Sequence, residues 1–159
     1  MAIVITIQNR QRTRRVNVAL LRRITRKLLA DQLALAEVEL SICLVGDEEM
    51  TKLNEDYLQH EGSTDVITFD YSESKTRSSE PEAIHGEIFV CVDEAIRQAK
   101  RFKTSWQSEV VRYVVHGVLH LLGHDDKRAV PRQKMKREEN RLVAELVKEF
   151  LLAKLARAR

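Results

Sequence analysis

Short apolar segments and longer amphipathic segments follow one another along the chain. Four short segments share a high content of β-branched and other apolar residues, which is typical of strands: residues 2–7, 38–45, 64–69 and 84–92. Leucine and isoleucine instead recur at helical spacing after Asn17, a residue that can cap a helix through its side chain. Asp47 is predicted to cap a shorter helix that runs towards Tyr57.

Helical periodicity continues without further strands after the fourth apolar segment. Asp93 begins one predicted helix, and Ser105 or Ser108 begins the next, which is so densely apolar that it should be largely buried. A polar break at 123–131 separates this central helix from a last helix that is predicted to extend to about Ala156. The last helix is expected to direct four apolar side chains inward: Leu142, Leu146, Phe150 and Leu151.

These elements predict a single α+β domain over residues 1–159. One mixed sheet of about four strands would pack with about five helices. A chain of 159 residues is long enough to bury one sizeable core, but it is too short for two ordinary domains. The segment 71–82, which is rich in serine, threonine and charged residues, is predicted to be a loop.

Composition favours a soluble, cytoplasmic protein with no membrane partner. No apolar run approaches the roughly 18 residues that a bilayer-spanning helix needs. The N-terminal apolar run precedes the basic cluster, which is the reverse of the order in a secretory signal. Cys43 and Cys91 lie far apart in strand-like runs, so we expect two buried free thiols rather than a disulfide.

Charge is distributed unevenly along the chain. Residues 1–30 carry eight basic residues and no acidic one, residues 31–90 carry three basic and fifteen acidic, and residues 91–159 carry sixteen basic and nine acidic. Basic surfaces attract phosphate groups, so a nucleic acid is a reasonable partner. Solvated helix faces kept soluble by arginine would give the same pattern, so charge alone leaves both interpretations open.

The strongest chemical signal is the stretch HGVLHLLGHDD, in which His116 and His120 lie four residues apart. On a helix the two side chains stand one turn above the other, and both imidazoles can coordinate one ion at about 2.1 Å. A single histidine on an apolar helix is more often a hydrogen-bonded core residue than a ligand. A pair at this spacing, on a helix with so few other polar groups, favours metal binding because a cation compensates for burying both rings.

A third ligand is expected just beyond the end of the same helix. Gly123 can end the helix and turn the chain back, which makes His124, Asp125 and Asp126 candidates. The spacing HxxxHxxGxxD selects Asp126, with His124 as the alternative. Three nitrogen and oxygen ligands leave a coordination position open for water, which is typical of a catalytic zinc site with one ion per chain. Zinc peptidases with HExxH have a glutamate where this chain has Gly117, which argues against a peptidase.

This stretch resembles the signature HGxLHLxGxDH of the YbeY family of bacterial endoribonucleases. Other segments agree with the family's LNxxY, TDVxSF and GDI motifs and with its helix after the metal loop: Leu53, Asn54 and Tyr57; residues 64–69; residues 86–88; and Met135 with Glu139. The resemblance covers residues from about 40 to 145. It implies a zinc-dependent endoribonuclease that acts on single-stranded RNA, in small-subunit ribosomal RNA maturation and ribosome quality control. The implied partners are ribosomal RNA and the small ribosomal subunit, with no DNA.

The chain departs from the family pattern at two functional positions. The family's third ligand is histidine, whereas this chain has Asp126 there and has His124 where the family usually has tyrosine. Aspartate is an accepted zinc ligand, so binding is expected with altered affinity. The family also has an arginine, thought to steady phosphate, where this chain has Leu58. Either another cation such as Arg112, one helical turn before His116, replaces it, or activity is weaker.

The residues do not identify a general base. Glu87 and Asp65, on strands that can border the site, are weak candidates, and a structural hydrogen-bonding role is the more common one for such carboxylates. Two alternatives to a ribonuclease remain. One is a non-catalytic, ribosome-associated protein with a structural metal, and the other is a different zinc hydrolase acting on peptides or small molecules.

Overall fold

A computed structural model describes residues 2–72, 83–124 and 126–157. Its sheet has four strands in these residues: β1 Ile3–Asn9, β2 Glu37–Val45, β3 Val66–Asp70 and β4 Ala83–Cys91. The strand order is β1-β2-β4-β3, in which β1, β2 and β4 are parallel and β3 is antiparallel to β4. The predicted mixed sheet is therefore confirmed. The predicted loop at 71–82 lies outside the described residues from position 73 onwards.

The described helices follow the predicted order. Five are α-helices: α1 Val18–Arg26, α2 Asp47–Leu58, α3 Val92–Phe102, α4 Trp106–Leu121 and α5 Ala129–Glu149. A π-helical turn, Lys27–Gln32, continues α1, and a short 3-10 helix, Leu152–Leu155, follows α5. The predicted α+β fold is thus confirmed. None of the helices in the described ranges is long and apolar enough to cross a membrane.

Side-chain caps fix where the helices begin. The Asn17 side chain accepts a hydrogen bond from the Leu20 backbone N–H at 3.0 Å, as predicted. Of the two serines considered for α4, Ser105 is the cap, and its hydroxyl accepts from the Ser108 backbone N–H at 3.1 Å. The prediction that Asp47 caps α2 was wrong, because Gly46 occupies the cap position and the Asp47 N–H donates to Asp93 Oδ2 at 2.8 Å.

Helix α4 lies closely against the sheet because two glycines provide the space. A Cβ atom at Gly117 would lie 2.9 Å from Cδ1 of Ile88 on β4. A Cβ atom at Gly86 would lie 2.8 Å from the Phe69 carbonyl oxygen and 2.9 Å from the Leu121 side chain. Real Cβ atoms essentially never approach this closely. The position of α4, and of the two histidines that it carries, is therefore fixed by contact with β4.

The C-terminal segment corrects the prediction of a helix to Ala156. Helix α5 ends at Glu149, because Phe150 adopts an extended conformation with φ −119° and ψ 138°. The chain then turns so that the 3-10 helix buries Leu152 and Leu155 in the core and Ala156 pairs with Val16. Leu142 and Leu146 face inward as predicted and Phe150 is partly buried, but Leu151 is exposed and its inward orientation was wrong.

Both cysteines are buried free thiols, as predicted. They lie on the face of the sheet that packs against Met50 of α2, in a cluster separate from the larger core around α4. Burial raises the pKa of the Cys43 and Cys91 thiols to about 11. Both are therefore protonated and unreactive near neutral pH.

Candidate metal centre

Three side-chain atoms converge beside the C-terminal half of the central helix. The Nε2 atoms of His116 and His120 lie 3.1 Å apart, and Asp126 Oδ2 lies 3.1 Å from His120 Nε2 and 3.5 Å from His116 Nε2. A tetrahedral zinc ion with bonds of 2.0–2.1 Å places its ligand atoms about 3.3–3.4 Å apart. The three donor atoms therefore have the separation that such an ion requires, and they form a group that can hold a metal.

The end of α4 brings Asp126 to the histidines. Gly123 has a φ of +97°, and its N–H donates to the His120 carbonyl at 2.9 Å, while the His124 N–H donates to the Leu119 carbonyl at 3.0 Å. These two hydrogen bonds form a Schellman motif, which satisfies the last carbonyls of the helix and reverses the chain. Glycine adopts this left-handed conformation without strain. The local sequence thus explains the position of the aspartate.

The buried carboxylate of Glu139, on α5, orients His116. Glu139 is 3% exposed, and its Oε1 lies 2.7 Å from His116 Nδ1. Burial favours its neutral form, but hydrogen bonds from His116 and Arg112 outweigh burial and lower the pKa of Glu139 to about 2. The ionised carboxylate accepts the Nδ1 proton, which leaves the Nε2 lone pair directed at the other two donor atoms. For His116, burial lowers the pKa, but the hydrogen bond to Glu139 and the negative charges of Glu139, Asp65 and Asp126 together outweigh burial, so the pKa is raised.

A cavity of about 230 Å³ adjoins two of the three residues, His116 and Asp126. His116 and Asp126 line it, together with three cations: Arg112, Arg132 and Lys136. Arg112 is also held in place, because its Nη1 donates to Glu139 Oε2 at 2.8 Å and to Asn140 Oδ1 at 2.7 Å. The lining also includes four carboxylates, those of Asp65, Glu109, Asp126 and Glu139, so it carries both signs of charge, and the three cations are the groups that can bind an anionic substrate.

Comparison with known proteins decides the family. The model of the family described as Endoribonuclease YbeY matches residues 6–147. This chain belongs to the YbeY family. A relative named Endoribonuclease YbeY from Syntrophotalea carbinolica is 34% identical over 149 residues, which cover 92% of this chain and 98% of the relative. Another of the same name, from Chlorobium phaeovibrioides, is 36% identical over 137 residues, covering 86% of this chain and 87% of the relative.

A solved structure supports the fold. The solution structure of a protein from Thermotoga maritima aligns with a TM-score of 0.66 over 98% of this chain and 97% of its own, at 24% identity. A sequence identity of 24% supports a shared fold and nothing beyond it. The resemblance to the YbeY family that the motifs indicated is confirmed, and so is the α+β architecture.

Two of the candidates for the third ligand, which the sequence placed just after Gly123, occupy different positions in the structure. Asp126 joins the two histidines, whereas His124 is not part of the group of donor atoms, and Asp125 lies outside the described residues. Burial lowers the pKa of His124. The three residues expected to lie together, His116, His120 and Asp126, do so.

The two weak candidates for a general base lie on different sides of the sheet. Asp65, just before β3, lines the cavity beside His116. Glu87 is not brought to the site, because its neighbour Ile88 contacts α4 and successive strand residues point to opposite faces. Glu87 instead accepts hydrogen bonds from the Tyr71 hydroxyl at 2.8 Å and the Cys43 thiol at 3.5 Å. Its position corrects the expectation that it borders the site.

Glu139 is the site residue whose role sequence reasoning missed. It matched the family's helix, but nothing assigned it a function. A signal was present, since Glu139 occupies an inward-facing position of α5 in line with Met135, Leu142 and Leu146. A carboxylate at such a position needs a buried partner. Leu58 ends α2 and is absent from the described residues that line the cavity.

Proposed function

We propose that this protein is a zinc-dependent endoribonuclease that cleaves single-stranded RNA. The observation that carries the proposal is the triangle of donor atoms of His116, His120 and Asp126 beside a cavity whose lining includes three cations. The names of the relatives agree with the activity, since both are called endoribonucleases. RNA is the substrate class implied.

His116, His120 and Asp126 would hold the ion. Zinc bound by three nitrogen and oxygen ligands lowers the pKa of water to near neutrality and so supplies a nucleophile for phosphodiester hydrolysis. Glu139 keeps the Nδ1 proton on His116 and so maintains the ligand form of the ring. Arg112, fixed by Glu139 and Asn140, is positioned to bind a phosphate oxygen of the strand. Asp65 remains a weak candidate for a base.

Ribosomal RNA is the proposed substrate in the cell. We infer a role in small-subunit ribosomal RNA maturation and ribosome quality control, with the small subunit as partner, from the motifs shared with the YbeY family. The basic segments at residues 1–30 and 91–159 support binding to such an RNA. A ribosomal substrate would place the protein in the cytoplasm.

The test is cleavage of a labelled single-stranded RNA by the purified protein, with and without a chelator. We expect cleavage that the chelator abolishes, that zinc restores and that His116→Ala lacks. Equal cleavage with and without chelator, or cleavage by His116→Ala, would overturn the proposal. Metal analysis should find about one zinc ion per chain in the wild type and in His124→Ala, and a strong loss in Asp126→Ala. If His124→Ala lost the zinc and Asp126→Ala retained it, His124 rather than Asp126 would be the third ligand.

A second candidate is a non-catalytic, ribosome-associated protein with a structural metal. Leu58 favours it, because leucine cannot bind phosphate where the family has an arginine. Co-sedimentation of the zinc-loaded protein with small subunits, without turnover of any RNA, would support this candidate over the first.

A further inference from the structure

The cavity beside His116 is lined by two polar groups, of Tyr113 and Glu109, that have no protein partner among the described residues. Tyr113 is 5% exposed, and its hydroxyl has no hydrogen-bond partner. Glu109 is 8% exposed as a residue, and no donor within the described ranges pairs with its carboxylate, but unlike the Tyr113 hydroxyl its oxygens are not fully buried atoms. Both side chains line the cavity. Leaving the buried Tyr113 hydroxyl unpaired costs about 1–3 kcal/mol, so it points to a ligand that supplies the partner, and the Glu109 carboxylate offers the same ligand an acceptor.

These groups lie on one face of α4 in line with the metal-binding residues. Glu109, Tyr113, His116 and His120 follow one another at intervals of three or four residues, so they share one face of the helix. A ligand whose one end lies at the histidines would therefore extend along α4 towards Glu109. The three cations, Arg112, Arg132 and Lys136, line the same cavity.

We propose that this cavity binds the nucleobase next to the cleaved phosphodiester and selects bases that carry an exocyclic amino group. The inference rests on the proposed function, because it takes RNA as the substrate. The Glu109 carboxylate accepts from the amino group, and the Tyr113 hydroxyl pairs with a second polar atom of the base. The cations bind the adjoining phosphate.

The distribution of charge favours a neutral occupant. A phosphate inside the cavity would be repelled by the carboxylates of Glu109 and Asp65, so it belongs with the cations and the histidines. A lysine or arginine side chain of a partner protein would be attracted by the same carboxylates but repelled by Arg112 and its two cationic neighbours, so it is kept as an outcome of the test. A neutral base with hydrogen-bond donors on one edge meets neither penalty. Phe102, which is 61% exposed and lines the cavity, adds an aromatic ring on which a base can stack.

Glu109 is the carboxylate that should discriminate between bases. Asp65 Oδ1 already accepts a hydrogen bond from the Val66 backbone N–H at 2.7 Å, whereas Glu109 has no such partner. Cytosine presents an amino group where uracil presents a carbonyl oxygen, and a carboxylate attracts the first and repels the second. Cytosine should therefore bind more tightly than uracil.

The experiment measures binding of short 2′-O-methyl oligonucleotides of cytidine and of uridine to the zinc-loaded protein. We expect the cytidine oligonucleotide to bind about tenfold more tightly, in line with the discrimination of one well-placed base contact. In Glu109→Gln the preference should fall or reverse, because an amide can donate to the uracil carbonyl. Tyr113→Phe should weaken binding of both oligonucleotides by a few fold. Glu55→Gln, which makes the same change at an exposed position of α2, should leave the preference unchanged.

The outcomes separate this inference from the proposed function. Equal affinity of the wild type for both oligonucleotides, binding of neither, or an unchanged preference in a folded Glu109→Gln protein would overturn the nucleobase site. Tight binding of a lysine-rich peptide that competes with the cytidine oligonucleotide for the wild type but not for Glu109→Gln would overturn it in favour of a protein partner. Selective binding of the cytidine oligonucleotide without cleavage of any RNA would support the nucleobase site but overturn the proposal that the protein is an endoribonuclease.

Discussion

Replacing Glu139 by glutamine tests how the metal centre is held together. The Glu139 carboxylate faces three donors: His116 Nδ1 at 2.7 Å, Arg112 Nη1 at 2.8 Å and Lys136 Nζ at 3.1 Å. Glutamine keeps the shape but removes the charge, and it presents an amide donor to one of these partners. Glu139→Gln therefore loosens His116 and deprives Arg112 of its ion pair while leaving the three proposed ligands, His116, His120 and Asp126, unchanged.

The size of the effect follows from the geometry. Lowering the pKa of Glu139 from its ordinary 4.5 to about 2 corresponds to roughly 3 kcal/mol of favourable interaction with the charged carboxylate. Because both values lie well below neutrality, this contribution is fully present at neutral pH. We expect the free energy of unfolding of metal-free Glu139→Gln to be about 3 kcal/mol lower than that of the metal-free wild type. Loss of the partner that orients a metal-binding histidine lowers metal affinity by about 10–100-fold.

The assay is competition for zinc between the protein and a coloured chelator, with urea unfolding of the metal-free protein in parallel. The neighbouring Glu138 provides the control, because its side chain is 32% exposed and pairs with Arg141 on the surface of α5. Glu138→Gln should change unfolding by less than about 1 kcal/mol and leave zinc affinity unchanged. Zinc affinity of Glu139→Gln within twofold of the wild type would refute the role assigned to Glu139.

Two further predictions concern the scaffold. Gly117→Ala should lower the free energy of unfolding, measured by urea titration, by about 1 kcal/mol. The new Cβ would lie 2.9 Å from Ile88, and this overpacking outweighs the gain in helix propensity. A variant more stable than the wild type would show that α4 moves freely away from β4. Asp47 receives two hydrogen bonds from Arg97, at 2.6 and 2.8 Å, which lower the pKa of its carboxyl from 3.8 to about 2. This stabilisation is present above pH 3.8 and is lost as the pH falls towards 2. The free energy of unfolding of metal-free Asp47→Asn should therefore lie closer to that of the metal-free wild type at pH 3 than at pH 6. The same difference at both pH values would contradict the pairing.

The parts of the site that lie within one segment could be predicted from the sequence. Residues four apart on a helix must share a face, so the pairing of His116 and His120 followed from spacing. The position of Asp126 followed from the geometry of a glycine-terminated helix. Both inferences needed only local backbone rules, which is why they agree with the structure.

Features that depend on how elements pack could not be predicted in the same way. Glu139 meets His116 only because α4 and α5 pack together, and helical spacing in either segment does not specify the contact. Glu87 was considered because it lies on a strand near the motif, but the face it occupies depends on which side of β4 contacts α4. Phe150 continues the apolar spacing of Leu142 and Leu146, yet the chain leaves the helix there because Leu152 and Leu155 reach the core by turning back.

The glycine turn at the end of α4 has a consequence for the dynamics of the protein. An ion held by His120 and Asp126 would close a small ring of chain around Gly123, much as a covalent crosslink does. The free energy of binding would then also stabilise the two hydrogen bonds of the turn, which join Gly123 to His120 and His124 to Leu119. The amide hydrogens of Gly123 and His124 should accordingly exchange with solvent more slowly when metal is present. Their exchange rates would therefore measure how much of the protein has metal bound.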